Sequence, residues 1–159
     1  MNFVVDGMLG KLTRWLRMMG HDAEYSIKLD DAELLAIAKK EKRVLLTRDL
    51  ALYQRAIAKG VEAYYVQGST ESERLAELAR RFSIALAIDL KNSRCPRCNT
   101  KLEPVPKEEI ADKVESNTLK HYDVFWSCPN CGHVYWQGAH WKKIRVTLAE
   151  AEEDLRKNV

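Results

Sequence analysis

Cysteine is absent from the first 94 residues, and the whole 159-residue chain holds four, beside four prolines and seven glycines. So little proline and glycine excludes a collagen-like or low-complexity chain. Without cysteines to staple it, the N-terminal part must bury an ordinary hydrophobic core. Long hydrophobic runs are also missing. The longest, such as 84–88, fall far short of the ~20 apolar residues that cross a bilayer, so no membrane partner is expected. Nor does charge of one sign dominate. The net charge is +3, with 14 basic and 13 acidic residues up to position 90, then 12 and 10. That balance permits a phosphate-rich ligand without requiring one. The opening Met1-Asn2-Phe3-Val4-Val5-Asp6 shows no basic n-region and no cleavage pattern, so a cytoplasmic protein is expected.

What is present describes a globular chain: 46% hydrophobic and 31% charged residues, in a length suited to one domain with a small addition. Phe3-Val4-Val5 reads as a short strand ending at Asp6. Positions 7–19 read as a helix carrying Leu9, Leu12, Leu16 and Met19 on one face, closed by Gly20. A strand is expected at 23–25, then a helix capped by Asp30 or Asp31 that buries Leu34, Leu35, Ile37 and Ala38. Val44-Leu45-Leu46-Thr47 is the clearest buried strand. A helix over 50–59, a strand over 62–66, a helix over 70–82 capped by Ser69 or Thr70, and an apolar run at 84–88 follow. This alternation predicts an α/β fold with a parallel sheet flanked by helices.

Composition changes at Lys91-Asn92-Ser93. The reading divides the chain into an α/β domain over 1–90, a cysteine module over 91–146, and a terminal helix over 147–159 that starts at Thr147-Leu148-Ala149-Glu150. Cys95-x-x-Cys98 and Cys128-x-x-Cys131 are separated by 29 residues, with room for a loop around 104–118. Two such pairs point to one tetrahedral ion rather than disulfides, and four thiolates leave no open position, so a structural zinc is expected. Asn99 and Gly132 follow the two turns, where φ > 0 is commonly needed. His133 and His140 are expected outside the ligand set. Aromatic residues lie among Lys120, Lys142, Lys143 and Arg145, most of them as module core, with Trp136 and Trp141 expected to be exposed and able to stack on bases.

Asp6 and Asp49 end strands, and Asp31 opens a helix beside the same edge. Ligands bind at the carboxyl ends of parallel strands. Converging carboxylates repel unless a hard cation such as Mg²⁺ or Mn²⁺ neutralises them, although strand-end and N-cap aspartates also occur for local reasons alone. Lys11, Arg14 and Arg17 recur every three residues on the helix after Asp6 and could meet phosphates, with a plain solvated surface as the competing reading.

The blocks Phe3-Val4-Val5-Asp6-Gly7-Met8-Leu9-Gly10-Lys11-Leu12, Arg14-Trp15-Leu16-Arg17, Gly20-His21-Asp22, Asp31-Ala32-Glu33-Leu34-Leu35 and Arg43-Val44-Leu45-Leu46-Thr47-Arg48-Asp49 resemble the PIN-like ribonuclease family named for the C-terminal domain of the Mut-seven exonuclease. Arg94-Cys95-Pro96-Arg97-Cys98-Asn99, Cys128-Pro129-Asn130-Cys131-Gly132 and Val134-Tyr135-Trp136-Gln137-Gly138-Ala139-His140-Trp141 resemble its zinc-ribbon tail. The resemblance covers nearly the whole chain. It implies a PIN-like fold with Asp6, Asp31 and Asp49 as catalytic, metal-binding carboxylates, Thr47 and Arg48 shaping the site, and Lys11 and Arg14 facing substrate phosphate. A fourth acid, common in PIN nucleases, would be Asp89, Asp30 or Glu33, which leaves one or two metals open.

Two functions follow as expectations. The first is a Mg²⁺- or Mn²⁺-dependent ribonuclease acting on single-stranded or structured RNA, tRNA and rRNA included. The second is a non-catalytic module that binds RNA or a ribonucleoprotein through its zinc ribbon. A toxin-like tRNA endonuclease is a third member of the PIN superfamily that nothing in the sequence selects. Oligomeric state is left open.

Overall fold

The computed structural model describes residues 1–157. Strands β1 (Asn2–Val5), β2 (Asp22–Tyr25), β3 (Val44–Thr47) and β4 (Ala63–Tyr65) form one sheet in the order β2-β1-β3-β4, all parallel. Parallel neighbours need crossovers, and helices α1 (Gly10–Met18), α2 (Asp31–Glu41) and α3 (Leu50–Ala58) supply them. The alternation of side chains along each strand divides the core into two layers. Phe3, Val5, Val44 and Leu46 face α1 and α4 (Glu71–Phe82), while Val4 and Leu45 face Leu34, Leu35, Leu52 and Ala56 of α2 and α3.

Local chemistry sets the element ends. A 3₁₀ turn, Gly7–Leu9, precedes α1, so the helix expected over 7–19 begins later. Gly20 closes it at φ 96°, where a Cβ would lie 2.9 Å from the Asn92 carbonyl oxygen. The Asp30 side chain, not that of Asp31, caps α2 by accepting from Glu33 N. Thr70 and Glu73 make a reciprocal capping box at α4. The apolar run at 84–88 joins no sheet. Ile84 and Leu86 instead lie buried against the first core layer, carrying the chain toward the cysteines.

The second half contains β5 (Glu103–Val105), the short helices α5 (Lys107–Ile110) and α6 (Ser116–His121), β6 (Phe125–Ser127) and β7 (Val134–Tyr135). The strands form an antiparallel sheet in the order β5-β6-β7. The terminal helix α7 (Trp141–Lys157) starts six residues before the expected Thr147. The Thr147 hydroxyl, which resembled a cap, donates instead to the Lys143 carbonyl one turn back inside the helix. Helix α7 packs along α4 and buries Ala151 in the first core layer. Its Ile144 touches both that layer and the cluster around Cys95 and Cys128. Among the described residues no helix is long and apolar enough to cross a membrane.

Candidate active site and metal centre

The carboxyl ends of β1 and β3 lie side by side, because Val5 pairs with Leu46. Asp6 follows β1, and Thr47 ends β3 fully buried. The Thr47 hydroxyl donates to Asp6 Oδ2 at 2.8 Å and accepts from the Asp49 backbone N–H at 2.9 Å. One buried hydroxyl therefore fixes the first and third aspartates of the sequence reading relative to each other. Asp49 also caps α3, with Oδ1 accepting from Leu52 N at 3.1 Å. Asp6 Oδ1 and Asp49 Oδ2 have no protein partner among the described residues.

Asp31 stands apart from this pair in its bonding. It lies in the first turn of α2, half-exposed, with its carboxylate 3.6 Å from the Arg55 guanidinium. The three carboxylates do not form a tight cluster. The one group of potential ligands within 4.8 Å of one another, among the described residues, is the four cysteines. Two carboxylates with uncommitted oxygens at a sheet edge still suit Mg²⁺ or Mn²⁺, hard ions that usually keep several waters and take one or two protein carboxylates.

The other residues singled out in the sequence occupy different positions. The Arg48 guanidinium donates to the carbonyls of Gln67 and Gly68 just beyond β4, so it braces the loop there. Lys11 and Arg14 are exposed on α1. Arg17 is not a surface cation. It is 6% exposed and donates to the carbonyls of Ala23 and Pro96, joining β2 to the first cysteine turn. Asp89 accepts from Lys91 N and shapes the turn into the cysteine module. Asp30 is occupied as a cap, and Glu33 is exposed.

The cysteine centre is built from two equivalent turns. Asn99 N donates to Cys95 O and Cys95 N to Thr100 O; Gly132 N donates to Cys128 O and Cys128 N to His133 O. Asn99 at φ 70° and Gly132 at φ 76° take the left-handed conformation expected after each turn. Cys95 and Cys131 sulfurs are 3.7 Å apart, and those of Cys98 and Cys128 are 3.2 Å apart. A disulfide requires about 2.05 Å. A tetrahedral ion with Zn–S bonds of about 2.3 Å places sulfurs about 3.8 Å apart, so the four thiols can hold a metal such as zinc. Burial acts to raise the Cys98 thiol, but hydrogen bonds centred on Thr100, Cys128 and Asn130 lower it to about 5, which favours the thiolate a metal needs. Burial raises the Cys95 thiol.

His133 and His140 lie outside the thiol cluster. His133 Nδ1 is 3.2 Å from Arg97, and His140 meets the edge of Trp136. Trp141 corrects an expectation: it is 6% exposed, packed with Cys95 and Cys128, and its indole N–H donates to Trp136 O. Trp136 is half-buried. Both rings are held mainly by the module.

Sequence reasoning missed how the two halves join. Asn99 Oδ1 accepts from the Ala23 N–H at 3.1 Å, while its Nδ2 donates to Asp22 Oδ1 at 2.7 Å. Strand β2 is a sheet edge, so the cysteine turn satisfies a backbone donor that no strand pairs. Asp22 also binds Arg43 at 2.8 Å. Burial acts to raise the Asp22 carboxyl, but Arg43 and Asn99 outweigh it and hold the group below its usual range. Asn99 was visible in the sequence for its backbone role alone.

No solved structure matches the chain. A curated relative, ribonuclease P protein component 4 of Methanopyrus kandleri, is 34% identical over 98 residues, covering 58% of this chain and 73% of its own. The family model described as the Mut7-C RNAse domain matches residues 1–148, from the first strand through the cysteine module into the terminal helix; the chain belongs to that family.

Proposed function

We propose that the chain is a divalent-metal-dependent ribonuclease whose cysteine module holds a structural zinc. The carrying observation is the coupling of Asp6 and Asp49 through the buried Thr47 hydroxyl at the carboxyl edge of the sheet. Asp6 Oδ1 and Asp49 Oδ2 would hold Mg²⁺ or Mn²⁺. Asp31 would act through water or after leaving Arg55. When bound, the cation supplies Lewis-acid activation and neutralises charge on the phosphodiester.

The chain's own residues do the rest. Thr47 keeps Asp6 in place, and the N-cap role of Asp49 fixes its rotamer, so neither side chain must be ordered when RNA arrives. A carboxylate oxygen orients water in line with phosphorus. The water oxygen would bond to phosphorus, its proton passing to that carboxylate, as the bond to the 3′ oxygen breaks and that oxygen takes a proton from solvent, leaving a 5′-phosphate and a 3′-hydroxyl. Lys11 and Arg14 on α1 would bind flanking phosphates.

A second reading has one observation in its favour: the Methanopyrus relative is named as a protein component of ribonuclease P. This chain would then bind RNA within a ribonucleoprotein without cutting it. Zinc-loaded protein incubated with a panel of tRNA, rRNA and single-stranded RNA in Mn²⁺ distinguishes the two. Cleavage lost by about 100-fold or more in Asp6→Asn and Asp49→Asn supports the nuclease. Equal cleavage by parent and variants, or RNA binding with no cleavage at all, rejects it.

A further inference from the structure

Three arginines line one cavity in the seam between α1 and the first cysteine turn. The cavity has a volume of about 240 Å³, and its walls include Thr13, Arg14, Arg17, Tyr25, Pro96 and Arg97. Among the described residues no carboxylate lines it. None of the ion pairs among the described residues includes Arg14, Arg17 or Arg97. Arg17 is almost wholly buried, yet it bonds to two neutral carbonyls. A buried charge without a close counter-ion is costly, and an anion in the adjoining cavity offsets that cost. Glu24, Cys95, Cys98 and Asp22 all favour the charged form of Arg17, but neither carboxylate forms an ion pair with it.

The location supplies a second argument. Tyr25 lines the cavity and donates its hydroxyl to the Gly7 carbonyl at 2.7 Å, one residue beyond Asp6. The cavity thus lies near the acidic edge, and the first cysteine turn forms one of its walls. Arg97, between Cys95 and Cys98 in the chain, lines it from the first cysteine turn, and its guanidinium lies 3.2 Å from His133 Nδ1. Its guanidinium, like that of Arg14, is exposed and can form the two-pronged contact that suits a phosphate.

We propose that this cavity is a composite phosphate cradle for an RNA strand, in which Arg14 of α1 and Arg97 of the cysteine module grip one phosphate beside the fixed charge of Arg17. The inference rests on the reading of the chain as a protein that acts on RNA, and deepens it. RNA leaving the acidic edge runs onto the cysteine module, which forms part of the substrate path as well as a folded unit.

The test measures binding of a short fluorescein-labelled single-stranded RNA to zinc-loaded full-length protein, by anisotropy, without added Mg²⁺ or Mn²⁺. Arg14→Gln and Arg97→Gln should each weaken binding about tenfold, the effect of losing a charge-assisted contact. Each should flatten the plot of log affinity against log salt by about 0.7, as for one phosphate on a single strand. The double variant should lose less than the product of the two, because both groups hold the same phosphate. Arg145→Gln on α7 should change little. Zinc content and circular dichroism establish folding, and Arg14→Gln carries the test if Arg97→Gln loses its metal. RNA ending in a 5′-hydroxyl, compared with its 5′-phosphorylated twin, separates an internal phosphodiester from a terminal phosphate. Parental affinity and salt slope in both single variants overturn the cradle, as does full independence of the two losses. Cleavage in Mn²⁺ is read separately. Weakened binding without cleavage in any protein leaves the cradle standing and removes the nuclease, while cleavage with unchanged binding does the reverse.

Discussion

Asn99 and Asp22, 77 positions apart, share a 2.7 Å hydrogen bond that ties the first cysteine turn to the edge strand of the parallel sheet. The same Asn99 side chain accepts from the buried Ala23 N–H, so one residue both follows a Cys-x-x-Cys turn and closes a sheet edge. The two halves are therefore coupled mechanically, and changes in the module should reach the α/β domain.

Asn99→Ala should destabilise the protein by about 2–4 kcal/mol, from an unpaired buried N–H and a left-handed backbone that alanine tolerates poorly. Asn99→Gly restores the backbone freedom and loses only the side-chain bonds, so it should fall between Ala and parent. Urea denaturation of the three proteins checks the order.

Thr47→Val keeps the shape of a buried strand residue and removes the hydroxyl between Asp6 and the Asp49 backbone. RNA cleavage in Mn²⁺ should drop about tenfold, with a loss of stability of about 1–3 kcal/mol from the unpaired groups. A variant as active as the parent would show that the coupling does not position the acids.

Acid should destabilise the fold in two stages. Burial, then the nearby Met1 amine, lower His21 from 6.5 to about 4. Between those values the unfolded chain binds a proton that the native chain does not, so stability falls as pH drops from about 6.5 toward 4. Asp22 contributes in the opposite sense of charge. Held below its ordinary 3.8, it keeps its stabilising effect above that value and loses it as pH falls further, through the folded pKa. Thermal melts from pH 7 to 3 should show both stages, and His21→Gln should remove the upper one alone.

Metal removal should act beyond the module. Trp141 packs on Cys95 and Cys128 at the start of α7, the helix that buries Ala151 in the main core. Cys98→Ser, or chelation of the parent, should lower the melting temperature of the whole chain and abolish a stoichiometry of one zinc per chain. Retention of the parental melt without metal would show the module to be energetically separate.

Much of this was legible in the sequence because it depends on short-range pattern. Alternating and 3.6-residue periodicities place β1 to β4 and α1 to α4 within a few residues, and the two Cys-x-x-Cys turns define the thiol site with its left-handed Asn99 and Gly132. The misreadings occurred where a local signal has two uses. Thr147 resembles an N-cap but bonds within α7, Trp141 resembles a stacking platform but fills a core, and Arg17 resembles a surface cation but bridges two carbonyls.

The sequence by itself determined which residues could alternate, cap, turn and bind metal, since those properties depend on neighbours within about one helical turn or one strand. Only the tertiary structure decided which of them meet. Pairing of β1 with β3 brings Asp6 to Thr47, the pairing of Asp31 with Arg55 turns that acid to another partner, and docking of the cysteine turn on β2 assembles Arg14, Arg17 and Arg97 around one cavity. Contacts between residues tens of positions apart depend on how layers pack and on which buried donors must be satisfied, and no local pattern records them.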